Sequence, residues 1–161
     1  MTDFQSGNGW HDFAFQTGTW RVRHRKLNRR LAGDMDWLAF DGECSAWEML
    51  NGAANVDDHL LNDPIEVHRG ASLRRYDPVQ ARWSIWWWDS RLSEIGPPVH
   101  GSFQNGIGTF SGVDRFDGQP IIVRFIWSEI MEESARWEQA FSADNGTSWE
   151  VNWIMHFERH R

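Results

Sequence analysis

Several residues in this chain are arranged to hold a molecule, and few are arranged to make or break a bond. Arg124, Gln139 and Asn152 lie in strand-like stretches rich in aromatic residues. A guanidinium and two carboxamides among indoles would orient a polar or anionic group in an otherwise apolar pocket, the common composition of a small-molecule site. His24 and His156 fall in similar stretches, with Trp20, Trp127 and Trp153 nearby. These eight residues form the candidate ligand-binding set. A different chemistry would follow if Glu138, Glu150 or His156 faced a dry cavity. Such a group would serve as acid or base for isomerisation or hydrolysis of a small substrate.

Other chemistries lack their residues. The seven histidines show no His-Glu-x-x-His spacing, so no metal site is expected. A single strand histidine would suffice as an axial haem ligand, but nothing selects one, and no cofactor is identified. Asp57-Asp58-His59 reads as a solvated charge cluster rather than a cation site. Cys44 is the sole cysteine, which excludes an internal disulfide and a cysteine zinc cluster. It sits mid-strand without a basic neighbour in sequence and reads as a buried, inert thiol. There is no Gly-x-Ser-x-Gly elbow and no phosphate loop.

The elements that must position these residues are strands. Asn51-Gly52, Asn105-Gly106, Asp117-Gly118 and Asn145-Gly146 are tight-turn dipeptides. Asp77-Pro78 and Pro97-Pro98 add two further breaks. Between them lie short β-branched and aromatic runs, predicting strands over 18–31, 36–50, 67–76, 82–89, 99–104, 108–116, 120–130, 135–143 and 148–159. Residues 55–61 supply a tenth if they pair. No apolar pattern of helical period exceeds three turns, which argues against a βαβ fold. Short sequential connections suit a meander, and a meander this long closes because closure removes its edges. The expected fold is all-β, a single antiparallel up-and-down β-barrel. Residues 1–9 read as a flexible arm, 10–15 as a short helical turn, and 10–161 as the barrel domain.

Alternation divides each strand into two faces. In the last strand Trp149, Val151, Trp153, Met155 and Phe157 share one face, and Glu150, Asn152, Ile154, His156 and Glu158 the other. A two-residue turn at Asn145-Gly146 places Gln139 opposite Asn152 and Glu138 opposite Trp153; a turn one residue longer reverses every assignment. The mixed face is either the solvated side or the cavity wall. Ser142-Ala143-Asp144-Asn145-Gly146-Thr147-Ser148-Trp149 fits a hairpin in which an aspartate bonds back to turn amides. It resembles the Asp-box of propeller sialidases and here reads as a turn motif only. Arg21, Arg23 and Arg25 alternate with Trp20, Val22 and His24, the pattern of a solvated face on a half-buried strand.

The chain has 161 residues with twelve tryptophans against one tyrosine and ten phenylalanines. That many indoles exceeds what a small core requires, so some should line a cavity or a subunit interface. Trp86, Trp87 and Trp88 are consecutive, so at least one faces outward, which favours a homodimer. A net charge of −7 argues against nucleic acid as the main partner. No run suits a transmembrane helix, and the start lacks a basic and then apolar stretch, so a cytoplasmic protein without a membrane partner is expected.

Phe13-x-Phe15-x-x-Gly18-x-Trp20-x-Val22 resembles the opening strand of lipocalin-like (calycin) barrels, where a Gly-x-Trp closes one end. Pro97-Pro98-x-x-Gly101-x-Phe103, Val123-Arg124-Phe125-x-Trp127, Trp137-Glu138-Gln139-x-Phe141-Ser142 and Trp149-Glu150-x-Asn152-Trp153-Ile154-Met155 extend the likeness over nearly the whole chain. Together they resemble an uncharacterised bacterial family of small lipocalin-like domains. The resemblance implies a calycin-type barrel and carries over no catalytic residue. The leading expectation is a barrel binding a small, largely apolar or aromatic ligand. A small-molecule isomerase or hydrolase and a structural dimerisation module with a filled barrel are the alternatives.

Overall fold

The computed structural model describes residues 9–161. Of the expected arm over 1–9, all but Gly9 lies outside the described residues. Ten strands run in chain order: β1 Gly18–Leu27, β2 Trp37–Met49, β3 Ala54–Leu61, β4 His68–Asp77, β5 Arg82–Asp89, β6 Val99–Gln104, β7 Ile107–Phe116, β8 Gln119–Ser128, β9 Ser134–Ser142 and β10 Glu150–Arg159. Each pairs antiparallel with its sequence neighbour, and β1 also pairs with β10, closing the barrel. The segment 55–61 does pair, as β3. No helix is long and apolar enough to cross a membrane among the described residues.

Turn chemistry sets the hairpins. Asn105 and Gly106 have φ of 52° and 76°, and Asp117 and Gly118 of 49° and 75°. Two successive left-handed residues make the tight turn whose twist matches the flanking strands. In the last hairpin, Asp144 accepts from the Ser148 amide at 2.8 Å and from the Ser142 hydroxyl at 2.8 Å. The Ser142 hydroxyl in turn accepts from the Gly146 amide. A bond from the Ser148 hydroxyl, with those from the Ser148 amide and the Ser142 hydroxyl, holds the Asp144 carboxyl down at a pKa of about 2. The expected Asp-box turn is present and has no part in a cavity.

The two ends of the barrel differ. At one end the chain before β1 folds inward as a 3-10 turn, Ala14–Gln16, and plants Phe13 as a plug. Its ring lies 4.9 Å from Trp83 and 5.1 Å from Phe103, edge to face in both cases. Trp20 is buried beneath this cap, its indole N–H donating to the Gln16 carbonyl at 2.8 Å. At the other end β5 and β6 share only the pairs Trp83–Gly101, Ser84–His100 and Ile85–Val99. Beyond Val99 the two strands part, and the loop carrying Leu92, Gly96 and Pro97 borders a mouth. On the outside, Trp47, Val56, Leu73 and Trp86 pair in one continuous row across β2 to β5.

A candidate ligand cavity

Inside the barrel is a cavity of about 570 Å³. Its walls come from the apolar strand faces: Val123, Phe125 and Trp127 of β8, Trp137 of β9, and Trp153, Met155 and Phe157 of β10. Trp137 meets Trp153 edge-on at 5.3 Å, and Trp87 meets Trp153 edge-on at 5.8 Å. Such T-shaped contacts fix each indole by the quadrupole of its neighbour. Trp87 reaches this corner because position 70 is glycine: a Cβ there would sit 2.2 Å from the Trp87 ring. Trp86 and Trp88, on the opposite face of β5, are excluded from the lumen by strand alternation.

A β-bulge decides the polar wall. Glu150 and Val151 pair with Phe141 and Ala140, but Trp153 pairs with Gln139, so Asn152 is the extra residue. The register expected from a two-residue turn therefore holds only up to Val151. Beyond it Glu138 faces Ile154, not Trp153. The bulge tucks Asn152 into the wall, where its carbonyl accepts from the Gln139 side chain at 2.8 Å. Gln139 lines the lumen; Asn152 supports it from behind.

The eight expected ligand residues thus separate. Trp127, Gln139 and Trp153 line the cavity. His24 is buried in the wall beside it, stacked on Phe40 at 4.7 Å and accepting at Nδ1 from the Trp153 indole at 3.1 Å. Glycine at 42 leaves room for that ring, since a Cβ there would lie 2.8 Å from His24 Nε2. Trp20 belongs to the capped end. Arg124 and His156 point away from the lumen, and their expected ligand contact does not fit this placement. Inward positions on their strands are held by Val123, Phe125, Met155 and Phe157, so alternation sends both outward. Arg124 stacks on the outer Trp149 indole at 4.1 Å. It is the apolar face, not the mixed one, that lines the barrel.

Burial pushes the His24 pKa down to about 3, with His59 and Lys26 adding repulsion. The unfolded chain takes up a proton here below pH 6.5 that the native ring refuses. Its contribution to stability is therefore present above pH 6.5 and lost as pH falls toward 3, by about 1.4 kcal/mol per pH unit. His24→Gln should flatten the acid limb of the unfolding free energy against pH, read from urea titrations, by about that slope. An unchanged limb would contradict the buried neutral ring.

The floor and mouth hold charges that strand patterning hid. Near the floor, Arg74 donates from one guanidinium nitrogen to Asn55 at 2.5 Å and from the other to Asp57 at 2.5 Å. The other Asp57 oxygen accepts the Ser72 amide at 2.7 Å and lies 3.3 Å from His59 Nε2. Burial opposes each charge, yet Arg74 and His59 hold Asp57 well below the usual carboxylate range. Burial likewise opposes the His59 charge, but Cys44 and Asp57 outweigh it and push the ring up to about 10. Burial raises the Cys44 thiol, which lies 3.5 Å from His59 Nε2. Cys44, Asp57 and His59 offer donor atoms within 4.8 Å of one another, a spacing a cation would accept. The Arg74 guanidinium already answers the Asp57 charge and repels a second cation. At the mouth, Lys26 pairs with Asp63 at 3.6 Å and lies over the Trp153 ring at 4.8 Å. Burial, with Arg30 alongside, lowers Lys26 to about 8. Arg91 pairs with Asp89 at 2.7 Å, and Arg30 lies over Phe116 and Phe141.

The acid–base candidates are otherwise engaged. Glu138 pairs with Arg136 at 2.7 Å and is absent from the lumen wall. The Glu150 carboxylate accepts the Leu31 amide at 2.8 and 3.1 Å, which ties the chain after β1 to the start of β10.

This architecture, a closed meander of ten strands with one capped end and an interior cavity, is a lipocalin-like barrel. Among solved structures the chain is similar to the S-type phycobiliprotein lyase CPES from Guillardia theta, with a TM-score of 0.65 and 11% identity over 97% of this chain and 94% of that one. At that identity the likeness concerns the fold. No protein-family profile and no curated protein matches the chain.

Proposed function

We propose that this protein binds a small, largely apolar or aromatic molecule inside its barrel. The observation that carries the reading is the cavity of about 570 Å³ walled by Trp87, Trp137 and Trp153. Small pockets of this size, apolar with a few placed polar groups, hold drug-sized molecules. A barrel filled by its own side chains, the structural alternative, would leave no such space. An acid–base enzyme would need a carboxylate free in the lumen, and Glu138 and Glu150 are both engaged elsewhere. The phycobiliprotein lyase supports the architecture of the reading and supplies no residue to it.

Phenylnaphthylamine, a neutral dye that fluoresces in apolar surroundings, should bind one per chain. Excitation of the tryptophans should transfer energy to it, because four indoles, Trp87, Trp127, Trp137 and Trp153, edge the cavity. Val123 lines the lumen, and Val123→Phe should weaken binding about tenfold by filling space that an added aromatic ring must take from the ligand. A dye affinity indifferent to Val123→Phe in a folded variant would sink the proposal.

A further inference from the structure

The cavity floor carries donors with nothing to donate to. His59 Nδ1, Arg74 Nε and Trp127 Nε1 are buried and have no hydrogen-bond partner among the described residues. All three residues line the cavity. They are neighbours: the Arg74 guanidinium lies 5.8 Å from the Trp127 ring centre, and both Trp127 and His59 pack on Phe157, at 5.1 and 6.1 Å. With the His59 ring charged, both its nitrogens carry hydrogens, so Nδ1 is a donor like the other two. Arg74 and His59 bring two positive charges against the one negative charge of Asp57. The floor thus combines unsatisfied N–H groups with an excess positive charge, where buried donors without partners are costly.

The mouth also carries one cation more than its carboxylates, Lys26, Arg30 and Arg91 against Asp63 and Asp89, but none of their nitrogens is both buried and without a partner. The other unpartnered buried nitrogens among the described residues, on His24, Asn55, His68, Arg124 and Asn152, belong to residues that do not line the cavity.

We infer that the ligand carries an oxyanion head group, of the carboxylate or sulfonate class, that enters first and seats on His59, Arg74 and Trp127. Its apolar body then lies against the indoles above. This rests on the proposed ligand-binding reading and names the ligand class that reading leaves open.

The test compares phenylnaphthylamine with anilinonaphthalene sulfonate, which is the same aromatic scaffold bearing one sulfonate. Trp127→Phe removes a single N–H and keeps a ring in place. It should weaken the sulfonated dye about tenfold more than the neutral dye, the usual scale of a hydrogen bond to a charged group, while any loss common to both dyes reports the altered wall. Arg74→Lys, which keeps the charge and loses the Nε donor, should act in the same direction and serves if Trp127→Phe fails to fold. Arg30→Met, at the mouth, should leave both dyes within about twofold. If Arg30→Met weakens the sulfonated dye and the floor variants do not, the anion sits at the mouth and the inference is overturned. Binding of the neutral dye alone overturns it too, while the ligand-binding reading stands. Binding of neither dye removes both.

Discussion

Asp57→Ala is expected to cost about 3–5 kcal/mol of unfolding free energy, the scale for removing one partner of a buried ion pair. Arg74 is the reason. Its guanidinium is buried, always charged, and pairs with no other carboxylate among the described residues. Loss of Asp57 strands that charge and also leaves the Ser72 amide without its acceptor. Arg74→Met should cost less, because His59 still balances Asp57. The pH dependence follows from two opposite shifts. Asp57 is held below its ordinary value, so its contribution is present above pH 3.8 and lost as pH falls through the lower native value. His59 is held above its ordinary value, so its contribution is full below pH 6.5 and lost as pH rises toward about 10. The difference between parent and Asp57→Ala should therefore be widest between those two limits and narrow on both sides. Urea unfolding across pH checks this; a difference that is flat in pH, or below about 1 kcal/mol, would contradict the network.

Phe13→Ala should cost about 3–5 kcal/mol, as for other fully buried phenylalanines. Phe13 lies among Trp83, Phe103, Phe110 and Trp127, with the Arg74 guanidinium 4.9 Å from its ring. Truncation leaves a hole at the capped end that a closed sheet cannot collapse to fill. It also admits water to Arg74 and Asp57. Phe13→Leu keeps most of the volume and should cost under about 1.5 kcal/mol. Thermal unfolding of the two variants measures both; equal, small losses would mean that the plug is not seated.

The strands were legible because turn chemistry and alternation act locally. The Asn-Gly and Asp-Gly pairs mark hairpins whose left-handed residues appear where expected, and the tenth strand follows once Asn55 to Leu61 pairs on both sides. The outward course of Arg124 and His156 was not legible. Nothing local says which face of a two-faced strand turns inward, and that choice belongs to the closed barrel. The bulge at Asn152 adds a shift that no turn length foretells. Least legible was the charged floor. In β3 the inward residues are Asn55, Asp57 and His59, while Val56 and Leu60 are less buried. This inverts the hydrophobic alternation and disguises a buried network as a solvated cluster. One signal was available. Arg74 on the following strand lies directly opposite Asn55, two residues from Asp57, and a basic residue facing an acidic stretch across a hairpin marks a pair that can be buried together. His59 and Arg74 share one hairpin, but Trp127 on β8 comes beside them only when the barrel closes.

If the lumen is a binding site, a crystal structure of the protein with phenylnaphthylamine will show dye density inside the barrel, against Trp87, Trp137 and Trp153. Density confined to the outer surface, with those indoles collapsed across an empty lumen, would contradict it.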